Sequence, residues 1–246
     1  MNMKIAIIGA SGKQGNLILK EAITRDFEVT AIVRNKSKIT DSVTVVEKDL
    51  FQLAPADLKQ YDVVVDAFNA PNGKEELHQT ALAHLTKVFE ELPAVRLIIV
   101  GGAASLFVDP DQKIRLLDTE NFPKEYYPTA SNMAEAFNKL QQSSIQWTFL
   151  SPAAYFDYAG KRTGSYKLGA DNLIENAAGE SYISYADYAI ALVDEIEKKR
   201  IFVNGLPLLV KKNKKEKSLL LSMLDDNKRL FSFSMVCQSW LLVYSF

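Results

Sequence analysis

Residues 7–15, "IIGASGKQG", set three glycines at intervals of three directly behind a run of isoleucines. In that setting Gly9 suits a tight exit from a strand, and Gly12 lets the backbone approach a pyrophosphate closely. Gly15 lets the following helix pack against the sheet. N–H groups at the start of such a helix meet phosphate charge. The spacing is G-x-x-G-x-x-G rather than the common G-x-G-x-x-G fingerprint, so a purely structural glycine turn is the competing reading. Context weighs against it, because the motif follows an apolar run and opens a helix.

Outward from this stretch, "KIAIIG" and "EVTAIV" are short β-branched runs, and between them Ile18, Leu19, Ala22 and Ile23 recur at helical spacing. That is a βαβ unit. "VTVVEKD", "DVVVDAF", "RLIIVGG" and "IQWTFL" repeat the pattern, with helices expected around residues 74–91 and 129–142. Continuous apolar runs suit parallel strands covered on both faces. The expectation is an α/β fold, Rossmann-like and doubly wound, with a mainly parallel sheet and a ligand site beyond the carboxyl ends of the strands. Residues 151–185 are rich in Gly, Tyr and Ser and read as a small substrate lid of loops and short strands, after which "ADYAIALVDEIEKK" reads as a closing amphipathic helix.

The chain has 246 residues, 48% of them hydrophobic, enough for a full core and one large domain over residues 1–200. Residues 1–197 carry 19 basic and 27 acidic side chains, whereas 198–229 carry 10 basic and 3 acidic. An acidic body argues against a nucleic-acid partner. Cys237 is the sole cysteine, so neither a disulfide framework nor a thiolate metal site is expected, and a reducing cytoplasm fits. The N-terminus lacks the long apolar region of a signal peptide. Residues 201–246 change character: "KKNKKEK" is followed by "LFSFSMVCQSWLLVYSF", 17 residues without charge. They read as an atypical extension packing on the body or on a second copy; a membrane tail is disfavoured by their length and serines.

Strand two ends in "AIVRNKSK", where an NAD-selective site ordinarily presents an acidic residue to the ribose 2′-hydroxyl. Arg34 stands there instead, suited to a 2′-phosphate with Lys38 in support, although a solvated surface arginine reads the same way. NADP is favoured over NAD.

The segments "IIGASGKQG", "AIVRN", "KDLF", "YDVVVDAFNA", "IIVGGAASLFVD", "WTFLSPAAYF", "RTGSYKLGADNL" and "SYISYADYAIALVDEIE" together resemble the NmrA-like atypical short-chain dehydrogenases that bind NAD(P)H, most closely the bacterial Rrf2-linked NADH-flavin reductases. The likeness spans residues 3 to about 200. It implies that Gly9, Ala10, Ser11, Gly12, Lys13, Gln14 and Gly15 form the pyrophosphate loop and that Arg34 meets the adenosine ribose. Asp49 and Leu50 would border adenine, and Ala67 and Phe68 would pass the second ribose. Gly101, Gly102 and Ser105 would lie near the nicotinamide, with Pro152, Ala153, Ala154 and Phe156 on its far side. Phe68 and Phe156 read equally well as packing residues. FMN or FAD would enter as a substrate or as a prosthetic group.

Conventional members of the wider superfamily use a tyrosine with a lysine four residues on to protonate a developing alkoxide. Here Tyr126 and Tyr127 are followed at that spacing by Ala130 and Ser131, and Tyr158 by Arg162. A flavin or quinone-like acceptor relaxes the demand, because the protein chiefly holds two flat rings together. Ser105 could orient either ring or merely cap its own turn. His78 and His84, six apart, cannot form an i, i+4 metal pair. The leading expectation is an NAD(P)H-dependent flavin or quinone reductase. The alternatives are an NADP-binding redox sensor that reports to a protein partner, and a carbonyl reductase or epimerase using Tyr155 or Tyr158 as acid.

Overall fold

The computed structural model describes residues 2–198 and 209–210. Six parallel strands form the central sheet: β1 (Lys4–Ile8), β2 (Glu28–Val33), β3 (Thr44–Glu47), β4 (Val63–Asp66), β5 (Arg96–Val100) and β6 (Trp147–Leu150). Their order is β3-β2-β1-β4-β5-β6, so the winding reverses between β1 and β4. The α/β architecture expected from the alternating runs is present. It arises because each strand is apolar on both sides: Ile5 and Ile7 of β1 enter one core, while Ala6 and Ile8 enter the other.

Helices α1 (Lys13–Ile23) and α5 (Tyr185–Lys198) cover the first face, through Ile18, Leu19, Leu192 and Ile196. Across the sheet lie α3 (Leu77–Phe89) and α4 (Tyr127–Leu140), through Leu82, Leu85, Phe137 and Leu140. Both begin and end within three residues of the expected helices. A single turn, α2 (Pro55–Leu58), was not signalled by periodicity.

Beyond β6, β7 (Tyr155–Asp157) pairs in parallel with β9 (Tyr182–Ser184). β8 (Lys167–Leu168) pairs antiparallel with β10 (Leu209–Val210), so chain beyond residue 200 contributes backbone to the lid segment. The remainder of the 201–246 extension, with its charge run, its apolar end and Cys237, lies outside the described residues. Among the described residues no helix is long and apolar enough to cross a membrane.

Hydrogen bonds and ion pairs fix the lid segment and α5 to the body. Asp187, buried on α5, accepts the N–H groups of Thr163 and Gly164 at 2.8 Å each and the Thr163 hydroxyl at 2.7 Å. Arg25, after α1, reaches Glu21 at 2.8 Å, Asp194 at 2.5 Å and Glu197 at 3.0 Å. Glu21 also meets Arg162 of the lid segment at 3.0 Å. Burial would raise the Glu21 pKa, but Arg25 and Arg162 outweigh it and hold the carboxyl below its usual range. At the start of β5, buried Arg96 pairs with buried Glu195 and donates to Thr148 Oγ1 at 2.6 Å. Replacing Arg96 alone leaves a carboxylate buried opposite an apolar side chain, so Arg96→Met should lower unfolding free energy by about 3–5 kcal/mol. Urea denaturation measures this, and a loss under about 1 kcal/mol would show that the pair carries little of the fold's stability.

Candidate functional site

The turn from β1 into α1 is built by glycine. Gly9 has φ +75°, a left-handed conformation, and a side chain there would lie 2.7 Å from the Ala67 carbonyl oxygen. A side chain on Gly15 would lie 2.3 Å from the Gly9 carbonyl oxygen, so the first turn of α1 crosses the end of β1 at backbone contact. Gly12, at the N-cap, meets only the Gly9 carbonyl oxygen at 3.2 Å and is exposed. The first N–H groups of α1, on Lys13, Gln14 and Gly15, have no intrahelical acceptor by the geometry of a helix end. No acidic residue stands in that turn, and Lys13 does. Such a donor set, with the positive end of the helix dipole behind it, suits an anionic phosphate group.

The other expected site residues follow successive strands along the same edge of the sheet. In spatial order they are Asp49 and Leu50 after β3, Arg34 after β2, and Gly9–Gly15 after β1. Ala67 and Phe68 follow β4, Gly101 and Gly102 follow β5, and Pro152–Ala154 follow β6. Arg34 is exposed and has no acidic partner among the described residues, and Lys38 is exposed in the short 3-10 helix Lys36–Lys38. The sheet order thus turns scattered sequence positions into one continuous row, with the β1–β4 reversal at its centre.

Several of these side chains are already engaged. Gln14 is buried, and its Nε2 donates to the Tyr185 carbonyl at 3.2 Å. Asp49 accepts from Phe51 N–H at 2.9 Å, and Leu50 sits in the core. Ser105 is buried and donates to the Gly102 carbonyl at 3.2 Å, holding its own turn rather than facing open space. Phe68 lies edge-on to His78 with ring centroids 5.9 Å apart. Phe156 stacks on Tyr185 at 3.9 Å and on Tyr188 at 5.0 Å, inside the joint between lid segment and α5. His84 is held by the Leu53 carbonyl at 3.0 Å.

The tyrosines nearest this end divide into two kinds. Tyr155 and Tyr158 are 63% and 55% exposed. Tyr182, Tyr185 and Tyr188 are not exposed, and burial raises all three phenol pKa values, Tyr182 to about 12 with help from the Asp157 carboxylate. Tyr188 donates its hydroxyl to the Leu150 carbonyl at 2.6 Å.

The chain belongs to the NAD(P)H-binding family, whose profile matches residues 9–199. It is 60% identical over 197 residues to the Bacillus subtilis protein YwnB, covering 79% of this chain and 92% of that one. Among solved structures it resembles a candidate NADH-flavin reductase of Streptococcus pneumoniae at 39% identity and TM-score 0.81, over 86% of this chain and all (100%) of that one. It also resembles a candidate epimerase of Bacteroides thetaiotaomicron at 33% identity and TM-score 0.77, over 87% of this chain and 99% of that one. Family membership supports a nicotinamide dinucleotide as cofactor, and with the likeness to a candidate reductase it supports an NAD(P)H-dependent oxidoreductase.

Asp66, which the sequence reading passed over, is the last residue of β4 and the register partner of Ile8 across the reversal. It is buried and lines a cavity of about 20 Å³ with His78, Phe68, Met133 and Phe149, room for one water. Its Oδ1 accepts from Phe68 N–H at 3.0 Å. Burial, opposed by that N–H, pushes its pKa up from 3.8 to about 6. Burial lowers that of His78 against the opposing charge of Glu75, and His78 Nε2 has no hydrogen-bond partner among the described residues. Between pH 3.8 and about 6 the folded chain therefore holds a proton at Asp66 that the unfolded chain releases, and stability falls as pH rises through this window. Asp66→Asn keeps an acceptor for Phe68 and has no such titration, while His78 is common to both chains and cancels. Its stability relative to the parent should increase by about 2 kcal/mol from pH 4 to pH 7 in denaturant titrations. A difference that stays constant across that range would contradict the burial effect at Asp66.

Proposed function

We propose that the chain is an NADPH-dependent oxidoreductase whose acceptor is a flat conjugated ring, a flavin or a quinone-like compound. The observation that carries this reading is the combination of a phosphate-suited glycine cradle with tyrosines none of which is followed four residues on by a lysine. A tyrosine that protonates an alkoxide needs its pKa lowered toward neutrality, which a lysine four residues on would do, whereas Tyr155 and Tyr158 are followed at that spacing by Ala159 and Arg162. The likeness to a candidate NADH-flavin reductase supports the same acceptor class, while the choice of NADPH over NADH rests on Arg34.

The bound dinucleotide would supply the hydride; what remains for the protein is to hold and align. In this reading the backbone of Gly9, Ala10, Ser11, Gly12, Lys13, Gln14 and Gly15 receives the pyrophosphate, with Gln14 acting through its main chain because its side chain is tied to Tyr185. Arg34 and Lys38 read the 2′-phosphate. Asp49 shapes the adenine end by capping its loop, with Leu50 anchoring that loop in the core. Ala67 and Phe68 flank the second ribose. Gly101 and Gly102 leave the nicotinamide unobstructed, Ser105 stiffens their turn, and Pro152, Ala153, Ala154 and Phe156 form the far wall.

Anaerobic oxidation of NADPH in the presence of FMN, FAD or a benzoquinone is the direct assay, with turnover expected for at least one of them. Tight NADPH binding without turnover on any would replace the enzyme by a redox sensor. Arg34→Glu should weaken NADPH binding by roughly 10- to 100-fold, the equivalent of one charge-assisted hydrogen bond, and leave NADH binding equal or better. Unaltered NADPH affinity in that variant would remove Arg34 from the 2′-phosphate site.

A further inference from the structure

An exposed aromatic ring of the lid segment lies against the cradle. Lys13, the first residue of α1, places its Nζ 4.6 Å from the centroid of the Tyr158 ring, within cation–π range. The ring is not loosely presented. It lies edge-on to Tyr185 with centroids 5.5 Å apart, and Tyr185 in turn stacks on Phe156 at 3.9 Å and accepts the Gln14 side chain at its carbonyl. The turn that carries Tyr158 is fixed by Asp157, whose Oδ1 accepts from Ala159 N–H at 2.9 Å and whose Oδ2 accepts from the Tyr182 hydroxyl at 2.9 Å. Residues from the cradle, the lid segment and α5 therefore converge on the N-terminus of α1.

We propose that Tyr158 is a positioning residue of the dinucleotide site: its ring holds the Lys13 ammonium beside the α1 N-terminus, where it meets the pyrophosphate. The proposal rests on the cradle reading above. A lysine on a four-carbon stem is otherwise free to sample solvent and loses rotamer entropy when it binds. Restraining it against an aromatic face before the ligand arrives removes part of that cost. Because the pyrophosphate is common to NADH and NADPH, the effect is blind to the 2′-phosphate, unlike that of Arg34. Tyr158 thereby makes the lid segment part of the cofactor site, and its phenol is not needed as an acid.

The test is equilibrium titration of the full chain with NADPH and with NADH, for Tyr158→Leu, Tyr158→Phe, Lys13→Met and the Lys13→Met/Tyr158→Leu pair. Tyr158→Leu should weaken both dinucleotides equally, by roughly two- to fivefold, the equivalent of one exposed cation–π contact. Tyr158→Phe keeps the ring and should bind as the parent does. In the Lys13→Met background the leucine substitution should cost nothing further, since the ring acts only through the ammonium. Tighter binding by Tyr158→Leu would show that the ring diverts Lys13 from the phosphate and would overturn the proposal. So would an undiminished loss in the Lys13→Met background, a loss confined to NADPH, or a Tyr158→Phe chain as weak as Tyr158→Leu. A parent chain that binds neither dinucleotide would bring down the cradle reading itself, whereas normal parental binding with no effect at Tyr158 overturns only this inference.

Discussion

At the end of β1, three backbones occupy space that any side chain would fill. The Gly9 carbonyl oxygen stands 2.3 Å from where a Gly15 side chain would begin, and the Ala67 carbonyl 2.7 Å from where a Gly9 side chain would begin. Strand β1, helix α1 and the exit of β4 can meet only because both positions lack a Cβ. That contact sets the line of α1 across the sheet edge and brings its unpaired N–H groups to the reversal between β1 and β4. The remaining strand ends then fall into place on either side, because parallel register fixes each strand's exit relative to its neighbour's.

Helix α5 does a second job besides closing the first core. Leu192 and Ile196 face inward, while Asp187, Asp194 and Glu195 each hold a different part of the molecule: the Thr163–Gly164 backbone, Arg25 behind α1, and Arg96 at the start of β5. Buried carboxylates of this sort are costly to desolvate and are retained where each has a cation or several N–H donors to meet. Residues 162–164 are thus anchored to the same helix pair, α1 and α5, whose first member follows the glycine turn, while Tyr155 and Tyr158 are exposed.

The sheet and the glycine turn behind β1 were legible because their signals are local. Six apolar runs separated by helix-length segments specify a doubly covered sheet, and the row of candidate residues follows from strand order without any side-chain geometry. What was not legible depends on contacts between distant segments. Asp66 in "DVVVDAF" looks like the polar end of a strand; only α3 and α4 closing over it bury the carboxyl. His78 reads as one of two ordinary helix histidines, yet it shares that cavity. Gln14 lies within a glycine loop that suggests ligand contact, but its side chain is claimed by a carbonyl 171 residues away. The pairing of β7 with β9 joins two three-residue strands, too short for a period-2 pattern to rise above composition.

The exposure of the lid tyrosines bears on what an open site can do. Protonating an alkoxide at neutral pH calls for an acid whose pKa is tuned by burial and a fixed partner, in a pocket closed to water. The phenol of buried Tyr188 is shifted upward and committed to a backbone carbonyl, so its enclosure packs the joint rather than tuning an acid. Hydride transfer between two flat rings makes a smaller demand. Face-to-face contact itself expels the intervening water and brings donor and acceptor carbons to reacting distance, and charge on the acceptor is spread over its own ring. For the acceptor proposed above, a wall behind the nicotinamide and an exposed aromatic rim would suffice.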